Sequence, residues 1–326
     1  MPAAHTTNRW PNPILVVIAL CLWPGEGNRL SSQRTAPVWY AAVADDGTVT
    51  PFGVVVNGGL WTGWPDQISQ VDELPTLIAI PTEWKPPGVE LPRKWRAHLV
   101  DGRHQTLTPQ RVVRGYVDDI GLSSDLANPV RPQDGTRGGY SIIGVATNGP
   151  DPIDVFRPVS KRLTSQALSR LEPVLSARES EAIEVARKRA EAEGYVLRVP
   201  TPQLRKRMKI EVETLRAAVD SHRTTWVYLE GQKVYEPNSV DLVVRLAALL
   251  ALPPGGSLDV KWTGVYVPLD LLHVAAIPLA IVEVEGRTCW IVQQVFEDGR
   301  EYVLAEAAEK MFGALASNCL PPAAQP

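Results

Sequence analysis

The stretch IPLAIVEVEGRTCWIVQQVFEDGREYVLA, residues 277–305, contains three apolar runs separated by two turn signals. The turn signals are Glu285-Gly286-Arg287 and Asp298-Gly299. Short runs rich in valine, isoleucine and aromatic residues, joined by glycine-containing turns, are typical of strands paired with their chain neighbours. The sequence therefore predicts a three-stranded antiparallel meander here.

The same pattern extends outward from this stretch. Val38 to Ala44 is a strand-like run that Asp45-Asp46-Gly47 turns back through Thr48 to Val56, which predicts a hairpin. Lys209 to Val219 alternates apolar and polar residues, as a half-buried strand does. Leu242 to Leu252 is apolar enough for either a core strand or a buried helix.

Between these β-rich regions the hydrophobic period changes to about 3.6 residues, the period of a helix. Leu163, Ala167 and Leu171 lie on one helical face. Pro173 is expected to end or kink that helix, and a second helix is expected from about Ala177. This second helix is highly charged, which favours a solvated connector or a cover over a sheet; a partner-binding helix is the alternative.

These patterns predict a mainly β protein whose antiparallel strands form hairpins and a meander. With its central charged helical segment, the predicted class is β-rich α+β overall. The chain is long enough for two domains. The predicted division is a leader at residues 1–27, an N-terminal β-rich lobe at 28–159, a helical connector at 160–194 and a C-terminal β-rich lobe at 195–326 with a short terminal helix.

The leader is predicted from its charge and apolar pattern. Arg9 precedes an apolar run from Ile14 to Trp23, and Gly25 and Gly27 follow it. A basic lead, an apolar stretch and small residues beyond it are typical of a signal peptide, which predicts a periplasmic, cell-surface or extracellular protein. The run is shorter than the roughly 20 residues that a membrane span needs, so no integral span is expected. The alternative is a core strand in a cytosolic protein.

The cysteines are compatible with export. Removal of the leader takes away Cys21 and leaves Cys289 and Cys319. In an oxidising compartment this pair is a candidate disulfide. The alternative is that Cys289 is a small buried apolar residue and Cys319 a tail thiol. Neither has the spacing of a metal ligand.

One resemblance lies in the aromatic hairpin segments. Trp39 to Gly47, with Pro51-Phe52, Gly59-Leu60-Trp61 and Trp64-Pro65, resembles the first hairpin after the leader in uncharacterised exported bacterial proteins of unknown function. The segment Trp226 to Glu230 is similar to a later strand pair of the same group. The resemblance implies export and a bacterial origin, and it implies no activity.

Motifs for catalysis are nearly absent. Gly139-Tyr140-Ser141-Ile142-Ile143-Gly144 misses the spacing of a hydrolase nucleophile elbow by one residue. His98 and His104 flank the turn at Asp101, so they can face each other across a hairpin and, with Asp101, form a metal site. The alternative is that both are ordinary exposed strand residues. His222 and His273 are expected in a turn and in the core.

No cofactor or metal is predicted from the sequence. There is no glycine-rich phosphate loop and no dinucleotide fingerprint. Asp45-Asp46 and Asp118-Asp119 lack the spaced oxygen ligands of a calcium loop, so they are interpreted as turn residues. The formal charge of −3 gives no electrostatic footprint for nucleic acid.

The tryptophans supply the one functional suggestion. Trp61, Trp64 and Trp84 fall in glycine- and proline-rich connections, where an aromatic face can stack on a sugar or a partner. The alternative is that each ring fills the core. The sequence therefore favours an exported, non-catalytic binding or envelope-associated structural protein, with a cell-envelope component or carbohydrate as partner. An exported hydrolase whose catalytic residues are dispersed in sequence is the competing hypothesis.

Overall fold

The structure is a computed structural model, and all of its described residues follow the predicted leader, residues 1–27. The described residues are 36–57, 59–65, 73–114, 120–127, 142–235, 242–268, 275–295 and 300–306. From Ala36 onward the chain belongs to one compact unit. Within the described part of the chain, no helix is long and apolar enough to cross a membrane.

An eight-stranded antiparallel sheet occupies the N-terminal half of the described chain. Its strands are β1 (Val38–Ala44), β2 (Val49–Val56), β3 (Gly59–Trp61), β4 (Trp95–Leu99), β5 (His104–Leu107), β6 (Pro109–Arg114), β7 (Ile120–Ser124) and β8 (Ile142–Thr147). Their order is β5-β4-β8-β1-β2-β7-β6, and β3 pairs with β2 beside this path. The hairpin of β1 and β2 confirms the prediction, and Gly47 takes the positive φ of 86° that its turn requires.

The eight-stranded sheet curls strongly, because its two outermost strands are consecutive in the chain. Only Thr108 separates β5 from β6, yet six strand spacings of about 4.8 Å lie between them along the sheet. A flat sheet would hold these strands about 29 Å apart, which two peptide bonds cannot span. The sheet therefore bends around a cluster of inward residues. They include Trp39, Val43, Trp95, Leu99, Leu107, Ile120 and Ile143.

A four-stranded sheet contains the predicted meander. Its strands are β9 (Asp154–Val155), β15 (Ala275–Val284), β16 (Arg287–Val295) and β17 (Arg300–Ala305), in the order β17-β16-β15-β9. Both predicted turns join antiparallel neighbours, so the meander is confirmed. Residues of the predicted terminal helix beyond Glu306 lie outside the described residues.

A five-stranded antiparallel sheet completes the β structure. It contains β10 (Arg157–Pro158), β11 (Glu211–Val219), β12 (Thr225–Tyr235), β13 (Leu242–Leu252) and β14 (Asp259–Tyr266), in chain order. The run that the sequence left open between strand and helix is strand β13, paired with β12 over its whole length. Pairing on both sides satisfies the backbone groups of this apolar strand.

Helix α1 (Lys161–Ala192) covers one face of the five-stranded sheet. Ala167, Leu171 and Leu175 pack there against leucines of the sheet. The helix passes through Pro173 without ending, so the prediction of two helices is wrong. Packing of the apolar stripe on both sides of the proline offsets the lost backbone hydrogen bond. Helix α2 (Pro202–Arg207) follows.

The three sheets form successive layers. The four-stranded sheet packs one face on the eight-stranded sheet and the other on the five-stranded sheet. Strand β15 pairs with β9, which joins residues from both sides of the predicted connector. The predicted boundaries at residues 159 and 194 therefore do not separate two independent cores.

Candidate functional site

Two of the three tryptophans proposed as binding platforms are core residues. Trp64 and Trp84 are 7% and 5% exposed and pack edge to face, with ring centroids 5.3 Å apart. The Trp64 indole Nε1 donates a hydrogen bond of 2.8 Å to the carbonyl of Ile120. A ring enclosed in this way has no free face for a sugar, which corrects the expectation for both residues.

Trp61 is partly exposed, at the end of β3. Its ring lies over Gly63, where a Cβ atom would be 2.1 Å from Cη2. It packs against the same core as Trp64 and Trp84. The role of Trp61 as a platform stays a prediction.

The histidine pair is placed as the sequence suggested, directly across the hairpin of β4 and β5. His98 Nδ1 and His104 Nδ1 are 2.8 Å apart, and His98 Nε2 lies 3.4 Å from Asp151. Asp101 instead accepts a hydrogen bond of 2.6 Å from Arg103. No group of three metal-ligating side chains occurs among the described residues.

The remaining candidates divide between turns and undescribed positions. Asp46 accepts hydrogen bonds from the backbone and hydroxyl of Thr48, as a turn residue does. His222 is exposed in the turn before β12. Cys289 is buried against the eight-stranded sheet. Ser141, Asp118-Asp119, His273 and Cys319 lie outside the described residues, so the disulfide stays a prediction.

A different set of polar residues meets on the five-stranded sheet, on the face opposite α1. Near one end this face is apolar and packs on the four-stranded sheet through Tyr228 and Leu249. Further along the strands the aligned residues become polar. We call this region the Glu230 face. Its members are Glu213, Arg216, Tyr228, Glu230, Arg245, Trp262 and Tyr266.

Register explains why residues from four strands meet there. Arg216 is opposite Tyr228, and Arg245 is opposite Tyr266. Glu230 is opposite Thr214 on one side and Ala247 on the other. Since alternate residues of a strand point to the same side, these side chains share one surface.

Glu230 is the central and most buried carboxyl of the face. It is 9% exposed, and Oε1 accepts a hydrogen bond of 2.6 Å from the Tyr228 hydroxyl. Burial raises the pKa of the Glu230 carboxyl, while the hydrogen bond from Tyr228 opposes this shift. Burial also raises the pKa of Tyr228, which keeps its hydroxyl a donor. A carboxyl that is easier to protonate than usual is a group found often at functional sites.

Glu213 and Arg245 form an ion pair over the same surface. Arg245 Nη1 lies 3.0 Å from Glu213 Oε2, and both side chains are partly exposed. Arg245 is on β13 and Glu213 on β11, so the side chains bridge over the intervening strand β12. Glu213 sits at an irregularity between Val212 and Thr214. Such a bulge changes the direction of a side chain, which brings this acid toward the face.

Two aromatic rings border the charged residues. Trp262 and Tyr266 are both partly exposed on the edge strand β14. The Trp262 ring lies over Gly264, where a Cβ atom would be only 2.9 Å from Cη2 and Cζ2. Glycine therefore lets the indole lie against the sheet. Trp262 and the neighbouring Ala247 also pack against the apolar cluster between this sheet and the four-stranded sheet.

The sequence carried a signal for this face that motif reasoning missed. Trp262, Gly264 and Tyr266 alternate along one strand, and Tyr228 and Glu230 do so along another. Each set reads as an ordinary half-buried strand by itself. Only the pairing of β12, β13 and β14 brings the two sets together.

Known proteins add no further constraint on this surface. Comparison of the chain with protein-family models, with curated proteins and with solved structures finds no match. The chemistry of the Glu230 face is therefore inferred from its own residues.

Proposed function

We propose that this chain is an exported binding protein that recognises a saccharide of the bacterial cell envelope on the Glu230 face. The observation that carries the proposal is the placement of the partly exposed Trp262, Tyr266 and Arg245 on the same sheet face as the buried Glu230. Aromatic faces stack on the apolar faces of sugar rings, and carboxylate and guanidinium groups bind their hydroxyls.

Export rests on the sequence of the first 27 residues and on the resemblance stated above. Mass spectrometry of the protein recovered from its native host tests it. We expect cleavage after Gly27 and a mass that reports the state of Cys289 and Cys319. An intact N-terminus in a cytosolic fraction would contradict export.

Saccharide binding is tested with the purified mature chain on an array of envelope polysaccharides and peptidoglycan fragments. Trp262→Ala should weaken binding about tenfold, which corresponds to about 1.4 kcal/mol of lost stacking. Trp61→Ala is the matched control, because Trp61 is also partly exposed but lies on the eight-stranded sheet. It should bind like the wild type.

The two tryptophan variants separate the two candidate platforms. Loss of binding in Trp61→Ala with normal binding in Trp262→Ala would move the site to β3. Failure of the wild type to bind any saccharide on the array would overturn the proposal.

A further inference from the structure

An exposed apolar segment follows α1 directly. Tyr195, Val196 and Val199 are 69%, 89% and 42% exposed. At the end of the helix the backbone N–H of Tyr195 donates to the carbonyl of Ala190, and Gly194 has a positive φ of 82°. The apolar residue that follows such a glycine often packs back on the helix, but Tyr195 does not. The chain therefore presents apolar side chains to solvent at this point.

Neighbouring residues attach this segment to the body of the protein. Leu197, Leu204 and Met208 pack against a cluster that includes Ile183 of α1 and Tyr235 of β12. The exposed side chains are thus held at a defined place on the surface, between inward-facing residues of the same segment.

The same segment carries a concentrated positive charge. Residues 195–209 contain five basic residues and no acidic one, although the whole chain has a formal charge of −3. The basic residues are Arg198, Arg205, Lys206, Arg207 and Lys209, and all except Arg205 are exposed. Cations stabilise the C-terminal end of a helix, but Arg198 and Lys209 lie outside α2. Helix stability therefore does not explain the whole cluster.

The acidic residues that flank the segment leave its charge positive. Glu193 lies 3.0 Å from Arg189, and Glu191 pairs with Arg187, so both acids have partners on α1. On the other side, Glu211 is the first acid in the sequence. One carboxylate does not balance five basic side chains.

We propose that residues 195–209 dock the protein on an anionic lipid bilayer. Tyr195, Val196 and Val199 enter the headgroup region, and the basic side chains bind lipid phosphates. Clusters of lysine and arginine are attracted to anionic lipid surfaces. Tyrosine is stable at the bilayer interface, and apolar side chains gain free energy there by leaving water. This surface is separate from the Glu230 face and does not depend on saccharide binding.

The combination of charge and exposure favours a bilayer over an acidic macromolecule. An acidic protein or a nucleic acid would bind the basic side chains and would not need the apolar ones. Val196 has most of its surface free, whereas an apolar residue with no partner is normally at least partly covered. A fluid lipid interface covers a protruding side chain without a groove of matching shape.

The experiment is flotation of the mature chain, from Asn28, with lipid vesicles. This chain keeps the compact unit that begins at Ala36 and lacks the apolar run at 14–23, which could itself insert. Vesicles of equimolar phosphatidylglycerol and phosphatidylcholine are compared with vesicles of phosphatidylcholine alone. We expect binding to the mixed vesicles that weakens as salt is added, and little binding to the neutral ones.

Two variants test the two parts of the surface. Lys206→Gln combined with Arg207→Gln should weaken partition onto the mixed vesicles about 30-fold, because each basic residue near an anionic surface contributes about fivefold. Val196→Ser should weaken it about fivefold, because the apolar contact is lost. All three positions are exposed, so the variants should fold, which circular dichroism checks.

The controls change the same residue types elsewhere. Lys161→Gln combined with Arg162→Gln removes an exposed basic pair at the start of α1, and Ile78→Ser removes a fully exposed apolar side chain. Both should bind vesicles like the wild type. Failure of the wild type to float with the mixed vesicles, or equal binding to both kinds of vesicle, overturns the proposal. Weak binding of the basic variant together with normal binding of Val196→Ser also overturns it, since that result indicates an acidic macromolecule as the partner.

Discussion

The hydroxyl of Tyr228 donates a hydrogen bond of 2.6 Å to Glu230 Oε1, and both residues are buried. Burial raises the pKa of Glu230 above its ordinary value of 4.5. The folded state therefore binds more protons than the unfolded state above about pH 4.5, and the stability that Glu230 contributes is lost as pH rises through the folded-state pKa.

Glu230→Gln should therefore gain stability relative to the wild type as pH rises from about 4.5 to 8, because glutamine cannot ionise. Urea denaturation across this range measures the difference in free energy of unfolding. Glu181→Gln, an exposed position on α1, is the control. A difference between Glu230→Gln and wild type that does not change with pH would contradict the prediction.

The buried ion pair between α1 and β12 should be costly to break on one side. Glu179 Oε2 lies 2.9 Å from Lys233 Nζ, and the side chains of Glu179 and Lys233 are 5% and 11% exposed. The other carboxylate oxygen of Glu179 accepts a hydrogen bond from the Tyr235 hydroxyl. Glu179→Met leaves an uncompensated buried ammonium, so we expect a loss of about 3–5 kcal/mol in unfolding free energy.

The double variant Glu179→Met with Lys233→Met tests the cause. Because no unpaired charge remains, it should recover most of the loss, except about 1–3 kcal/mol for the Tyr235 hydroxyl left without its acceptor. Urea denaturation measures both variants. A double variant less stable than Glu179→Met would show that the unpaired ammonium of Lys233 is not the cause of the loss.

The His98–His104 contact should make the β4–β5 hairpin sensitive to acid. Two Nδ1 atoms 2.8 Å apart need one donor and one acceptor, so both rings cannot be doubly protonated. Burial lowers the pKa of His98. The nearby Asp151 raises this pKa, whereas His104 and Arg96 lower it further. The folded state thus binds fewer protons, and the stability that this neutral ring contributes is lost as pH falls below about 6.5.

Unfolding free energy measured at about pH 7.5 and about pH 5 should fall more in the wild type than in His98→Gln. The exposed His222→Gln is the matched control and should follow the wild type. An equal decrease in all three proteins would contradict the role of His98.

Substitution of Pro173 should increase the stability of the protein. It is exposed, and it lies inside α1, where it can donate no backbone hydrogen bond. Pro173→Ala restores a donor and a good helix former, so we expect a gain of about 1–3 kcal/mol in unfolding free energy. Thermal and urea denaturation measure it. A loss of stability would show that the packing of α1 depends on a bend at this residue.

The β-rich class and several elements were predictable because their signals are local. Alternation and turn residues define the β1–β2 hairpin and the 277–305 meander. The helix boundary at Pro173 was wrong, since propensity was overridden by packing of Leu171 and Leu175 on a sheet. The sequence left core burial of Trp64 open as the alternative to a platform, because the partner of its indole is 56 residues away in sequence.

The sequence by itself determined the β1–β2 hairpin, the 277–305 meander and the helical character of the central segment, because alternation, helical period and glycine turns act over a few residues. Only the tertiary structure decided which strands are neighbours. It joined β9 to β15, curled the first sheet and set Glu230 beside Arg245 and Trp262 on one face. These contacts depend on register between distant segments, which no local pattern specifies.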